Sequence, residues 1–353
     1  MKRSILYLSF FVVTLCGCMF FSSFTPGKVL MSEKNDTLKI VVPKGWPKPV
    51  YDFEKNPVTT NGFELGRKLF FDPLLSKDST ISCASCHLQF TNFTHVDHAL
   101  SHGIYGKKGT RNTLAIINTA WSKNFMWDGG INNIEVQPLG PIENPVEMDT
   151  KLVDIIAKLN RSKNYKTKFK NAFGSEAEIT GQFVLKALAQ YMVSIQSYNS
   201  KYDKVMRKEP GVAFNEYEAK GLVLFRKNCA SCHTEPLFTN NSFENNGLRP
   251  DSLLRDAGRA TITRLKTDSL KFKVPSLRNI EVSYPYMHDG RFRNLQMVVF
   301  HYAHDISKSP TLSPKLTNGV NLNEQDKNNI IAFLKTLTDE EFLHNAKLYY
   351  TKD

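Results

Sequence analysis

The 353 residues, 41% hydrophobic and 11% aromatic, suffice for two domains that each bury a core, and they exclude a disordered tail. No block recurs at a fixed period, which excludes a solenoid. The balance of 46 basic to 34 acidic residues, a formal charge of +12, suits an acidic protein partner or an anionic membrane surface.

At the start, Lys2 and Arg3 precede an apolar run over residues 5–13, too short and wrongly flanked for a spanning helix and therefore read as an export signal. Leu15-Cys16-Gly17-Cys18 is similar to a bacterial lipoprotein box, which implies cleavage before Cys18 and a lipid anchor on its thiol; a plain secretory signal with incidental cysteines is the alternative. Residues 1–18 are thus the signal, and 19–44 read as a tether, polar and without periodicity over 22–36. Removing Lys2 and Arg3 leaves 44 basic against 34 acidic residues, +10, on a protein expected in the periplasm. Export and the lack of any recognisable module exclude nucleic acid as a partner.

Helical periodicity dominates the remainder, and residues 38–42 carry the one notable strand signal. Asn61, three residues before Glu64, predicts a capping-box start for a helix through Leu69. Over residues 180–197 Leu185, Leu188, Ala189, Met192 and Ile195 share one helix face. Lys208-Glu209-Pro210-Gly211 interrupts the pattern and places a boundary between domains at 45–208 and 209–353. Asn215 with Glu218 opens the next helix, and Asn323 with Asp326 the last, whose apolar side is Ile330, Ile331, Phe333, Leu334 and Leu337. Gly66-Arg67-Lys68-Leu69-Phe70 in the first half is echoed by Gly221-Leu222-Val223-Leu224-Phe225 in the second. The expected fold is all-α, in two related helical domains.

Cys83-Ala84-Ser85-Cys86-His87 and Cys229-Ala230-Ser231-Cys232-His233 stand one in each domain and make these two c-type cytochrome domains, each around one haem. Two thiols three positions apart can each form a thioether to a porphyrin edge while the next imidazole reaches the iron. A lone Cys-x-x-Cys reads equally as zinc or thiol redox chemistry. Two copies, both followed by His in an exported chain, favour two covalently bound haem c groups. With Cys16 and Cys18 in the signal, the six cysteines leave none for a structural disulfide. Whether such a protein only carries electrons depends on the sixth iron position, since an open one admits peroxide.

Further strings surround the two motifs: Gly109-Thr110-Arg111-Asn112, Phe125-Met126-Trp127-Asp128-Gly129, and Leu139-Gly140-Pro141-Ile142-Glu143-Asn144-Pro145-Val146-Glu147-Met148. Val274-Pro275-Ser276-Leu277-Arg278-Asn279 and Pro285-Tyr286-Met287-His288-Asp289-Gly290 follow the second. In this order they resemble the bacterial dihaem cytochrome c peroxidase and MauG family over about residues 45–340. The resemblance implies reduction of hydrogen peroxide at the amino-terminal haem, with electrons passed from the carboxy-terminal haem and supplied by a small cytochrome c or cupredoxin. It makes His87 the proximal ligand of the peroxidatic iron and His233 that of the electron-transfer iron. It sets Trp127 between the haems, where residue type alone suggests core packing at a turn. Glu147 becomes a proton shuttle and Gln137 the group that orients peroxide or water by hydrogen bonds, in place of a helix-start carboxylate and a solvated amide. Asn112, Ser283 and Pro285 match positions that bind calcium in relatives, against a reading as ordinary loop. Relatives are often homodimers.

Two positions depart from the pattern. Where many relatives place a distal His for the first haem stand Ile104 or Tyr105, with His102 close by; either His102 serves or that haem is open. For the second haem the spacing selects Tyr302 as distal ligand, with Met287 and Met297 as alternatives. Met297 and Tyr302 also fit a single buried helix face. A Tyr ligand keeps open oxidation of a partner protein's side chains in the manner of MauG. A non-catalytic dihaem electron carrier is the third reading.

Overall fold

The computed structural model describes residues 35–350. The signal, the Cys18 anchor and most of the tether lie outside them. Among the described residues no helix is long and apolar enough to cross a membrane.

The first half runs through α1 (Thr60–Phe71), the single turn α2 (Cys83–Cys86), α3 (Leu139–Glu143), α4 (Leu152–Asn160), α5 (Lys163–Phe173) and α6 (Gly181–Ser194). The second follows with α7 (Lys201–Met206), α8 (Glu216–Asn228), α9 (Ala260–Thr263), α10 (Leu295–His304), α11 (Glu324–Lys335) and α12 (Glu340–Leu343). The all-α expectation holds: the sheet is one two-residue pairing, β1 (Phe243–Glu244) antiparallel to β2 (Phe272–Lys273).

Capping decides where most of these helices begin. Asn215 and Asn323 accept from the amides of Glu218 and Asp326, whose carboxylates accept from the cap amides in return, as the sequence predicts. At α1 the expectation fails. Thr59 is the cap, accepting from Gly62 N, while the Asn61 amide is turned to Asn171 O. Residues 38–42 form no strand either. They follow one isolated bridge, Thr37 to Thr59, and Leu38, Val41 and Val42 are exposed, with no sheet for their apolar side to cover.

The echoed glycines have a common task. A Cβ on Gly66 would lie 1.9 Å from Ala187 O of α6, and one on Gly221 2.0 Å from Asn329 O of α11. In each half, therefore, the helix that opens the domain meets the helix that closes it at backbone contact, and Phe70 and Phe225 fill the space beside the crossing. Gly221→Ala must push α8 off α11 and is expected to lower stability by about 1–3 kcal/mol. Thermal denaturation checks this; an unchanged midpoint would mean that the crossing is looser than described.

The apolar core of the first half gathers Leu65, Leu69, Phe93, Ile142, Phe169 and Leu188, and it also takes in Phe342, Leu343 and Leu348 from the far end of the chain. The core of the second half is built on Tyr202, Phe225, Phe238, Val299, Ile330 and Phe333.

A buried polar network joins the two. Arg278, fully buried, makes two parallel bonds to Asp203 (Nη1–Oδ2 and Nη2–Oδ1, each 2.8 Å) and donates to Pro236 O from Nε at 3.0 Å. Its backbone oxygen accepts from Asn92 Nδ2 at 3.0 Å. Next to it Asn279 Nδ2 donates to Asn92 Oδ1 and Ser197 Oγ, and Asn279 Oδ1 accepts from the Asp339 amide. Arg111 adds a second clasp, bonded to Asp128 in the first half and Asp256 in the second at 2.6 Å each. Burial opposes its charge, but the two carboxylates outweigh that and raise its pKa.

Candidate active site

Each cysteine motif is presented by one turn of chain. At the first, Ser82 N donates to Ser85 Oγ at 3.0 Å, α2 closes, and His87 leaves it with φ −120° and ψ 77°. His87 Nδ1 lies 2.8 Å from Phe93 O. A carbonyl can only accept, so Nδ1 carries the proton and Nε2 keeps a lone pair. His233 repeats the arrangement, with Nδ1 3.1 Å from both Phe238 O and Pro275 O. Burial pushes both imidazoles down to about 4, so both are neutral donors at physiological pH.

The four thiols are free of disulfides. Burial pushes Cys83 and Cys229 up to about 12 and Cys86 to about 11. Protonated thiols are poor redox nucleophiles, so the environment disfavours thiol redox chemistry.

A connected cavity of about 730 Å³ runs from His87 to His233 and is walled by both halves. Two neutral imidazoles border it, with cysteines of both motifs beside them. Lys273 Nζ, buried in the same wall, has no anionic partner among the described residues, and burial pushes it down to about 8. An unpaired buried cation is costly, and a carboxylate-bearing group in the cavity would relieve it. Donors, space and charge together fit a haem at each motif.

Around the first motif the structure brings together Glu147 and Gln137, both on the cavity wall. Glu147 Oε1 accepts from Asn144 Nδ2 at 3.0 Å; burial raises its pKa and the Asn144 bond offsets part of that. Gln137 Nε2 lies 3.7 Å from Met126 Sδ, a weak contact that leaves the amide available. The Glu147 backbone is held by the preceding loop: Ile104 N donates to Glu147 O at 2.8 Å, and a Cβ on Gly103 would lie 2.3 Å from Glu147 Cα.

His102 does not reach this space. Its carbonyl lies 3.3 Å from Cys86 Sγ, and its ring is turned away from the cavity onto His98, edge to face at 4.3 Å. Packed on His98 and off the cavity wall, His102 is not placed as a distal ligand, which corrects that expectation; Ile104 is fully buried and Tyr105 is 67% exposed.

Trp127 sits where the halves meet. Its Nε1 donates to Asn112 O at 2.9 Å and its carbonyl accepts from Lys273 N at 2.7 Å. Asn112 N in turn donates to His288 O at 2.7 Å. Asn112, Ser283 and Pro285, the expected calcium positions, all border the cavity, with Asn112 Nδ2 donating to Ala99 O and Ser283 Oγ to Ile280 O.

On the second side Tyr302 and Met287 face the cavity and converge on one amide, with Asn246 Nδ2 3.5 Å from Tyr302 Oη and 3.4 Å from Met287 Sδ. Burial pushes the Tyr302 phenol up to about 12. Met297 is corrected: it is 41% exposed on α10 and does not border the cavity. Five helical positions turn the chain about 140° past a full revolution, so it cannot share the Tyr302 face.

Asn246, Lys273 and the pair His95 and His98 escape sequence reasoning. Asn246 and Lys273 carry no periodic or motif signal, being polar residues that only the closed fold directs inward. The spacing His95-x-x-His98-x-x-x-His102 was legible, had the whole loop been read for ligands.

The comparisons agree with this geometry. A family model described as di-haem cytochrome c peroxidase matches residues 60–211, and one for cytochrome c matches 218–338. The chain is 32% identical over 298 residues to methylamine utilization protein MauG of Methylorubrum extorquens, covering 83% of each. It is 33% identical over 290 residues to cytochrome c551 peroxidase of Nitrosomonas europaea, covering 81% of this chain and 82% of that one. Among solved structures, a MauG-like protein associated with microbial copper homeostasis superposes with a TM-score of 0.79 at 28% identity, over 88% of this chain and 99% of the other.

Proposed function

The chain belongs to the di-haem cytochrome c peroxidase family, and from that premise we propose that it reduces hydrogen peroxide to two waters, consuming two electrons and two protons. The electrons come from a small cytochrome c or cupredoxin and pass from the His233 side to the His87 side. The observation that carries this reading is the single cavity with a neutral imidazole at each end and a buried carboxylate, Glu147, beside the first.

Haem iron at His87 supplies the electrons that break the O–O bond. The protein's task there is to move a proton. Glu147 Oε2, not used by Asn144, takes the proton from the inner oxygen of peroxide and returns it to the outer oxygen, which then departs as water. Its raised pKa brings it nearer to the pH at which it must both accept and release. Gln137 orients the peroxide by hydrogen bonding. Trp127, bonded to both halves, offers an indole on the path between the two motifs. Oxygens of Asn112, Ser283 and Pro285 would hold a calcium ion, if one binds.

With Ile104 in place of a distal His, a haem held by His87 would lack a second protein ligand, and the enzyme would need no prior reduction. Electron paramagnetic resonance of the oxidised holoprotein should show a high-spin signal from one haem. Two low-spin signals, one of bis-His type, would reject this.

Tyr302 favours one second reading, oxidation of a partner protein's side chains, because a phenolate ligand supports higher oxidation states. One experiment separates the two: peroxide turnover with a reduced small cytochrome. Rapid oxidation supports the peroxidase; slow oxidation with long-lived oxidised haems supports the second reading; inertness toward peroxide in every redox state rejects both. Export to the periplasm and acylation of Cys18 complete the proposal, and mass spectrometry of the mature amino terminus tests them.

A further inference from the structure

His95, His98 and His102 lie on the loop that follows the first cysteine motif, outside the cavity that the reaction uses. The rings are gathered closely. His95 and His98 stack with centroids 4.2 Å apart and planes 7° from parallel, and His102 meets His98 edge to face at 4.3 Å. Ring packing alone does not account for their hydrogen bonding. Among the described residues His98 Nδ1 and Nε2 and His102 Nδ1 are all buried without a partner. A neutral imidazole carries one N–H and one lone pair, so a shared acceptor of lone pairs would satisfy one nitrogen of His98 together with His102 Nδ1 and so relieve part of a standing cost.

We infer that His95, His98 and His102 form a binding site for a first-row divalent transition ion of the zinc and copper(II) class. One donor nitrogen from each residue lies within 4.8 Å of the others. A tetrahedral zinc with bonds of about 2.05 Å sets its nitrogens about 3.3 Å apart, a difference that side-chain rotation covers. The donor set is imidazole only, and imidazole selects zinc, copper or nickel over calcium or magnesium, which take oxygen. The loop is fixed for the purpose: Asn112 Nδ2 donates to Ala99 O, Ser101 N to Arg111 O, and His102 pairs with Lys108 as an isolated bridge. Three protein ligands leave a fourth position for water. Because Gly103 and Ile104 hold the Glu147 backbone, the ion would brace the wall of the first cavity without touching its contents.

Zinc is the probe, since it is redox-inert and cannot itself consume peroxide. The holoprotein with both haems, stripped with chelator and dialysed against micromolar zinc, should retain one zinc per chain beside two irons by elemental analysis. His98→Gln and His102→Gln should each weaken binding by at least about 100-fold, more than loss of an outer partner costs, with an unchanged Soret band reporting intact haem sites. His344→Gln, at an exposed histidine, should bind as the parent does. Zinc absent from the parent, or retained undiminished in both loop variants, overturns the assignment. Should the variants lose haem, zinc-edge X-ray absorption of the parent decides: scattering from three imidazoles supports the site, and an oxygen-only shell overturns it.

Discussion

Glu147→Gln should lower kcat/KM for hydrogen peroxide by about 10²- to 10⁴-fold, with two haems still attached and the Soret band in place. Gln keeps the shape and the bond to Asn144 while removing the group that carries the proton. The pH dependence makes the test specific. As a base Glu147 works ionised, so kcat/KM should rise with pH through its folded pKa. Burial raises that value, so the acid limb of the parent lies above the ordinary glutamate value of 4.5. In the Gln variant this limb should vanish along with most of the rate. A variant that turns over peroxide at the parental rate, or keeps the same limb, would remove Glu147 from the mechanism.

Arg278→Met should cost about 3–5 kcal/mol of stability, because it leaves Asp203 ionised and buried without its partner. In the parent, burial opposes the Asp203 charge and the guanidinium outweighs it, so the folded pKa lies below the ordinary value. A depressed carboxyl stabilises the fold above its unfolded pKa and loses that contribution as pH falls through the folded one. The gap between parent and variant should therefore be full at neutral pH and shrink on acidification, beginning as the variant's stranded Asp203, its pKa raised by burial, takes up a proton. Asp203→Ala in the Arg278→Met background should recover part of the loss, since no charge is then stranded. Chemical denaturation at two pH values measures both effects. Equal stability of parent and single variant would show that the pair contributes nothing.

These two residues also mark how far the sequence could be read. Haem attachment, the all-α class and the caps at Asn215 and Asn323 are local matters, decided within a few residues, and they were legible. Glu147 and Gln137 became legible through the motif around them, and the fold sets both on one cavity wall. What escaped depends on distant parts of the chain. Thr59 caps α1 because Asn61 is engaged by Asn171, 110 positions away. Met297 and Tyr302 both look like core residues until the packing of α10 selects one side. Arg278 carries no sign of its burial in the sequence, yet Asp203, Pro236 and the Asn92 amide close around it. His102 belongs with His95 and His98, whose rings the loop gathers beside it, and its own spacing to the first cysteine motif does not show that.

Phe342, Leu343 and Leu348 seal the core of the half that is made first. Synthesis delivers these side chains last, so the leading half waits with an apolar notch uncovered until nearly the whole polypeptide has been made. A product cut short after Lys335 should thus lose protease resistance in its front half, although every residue that binds the first haem is present.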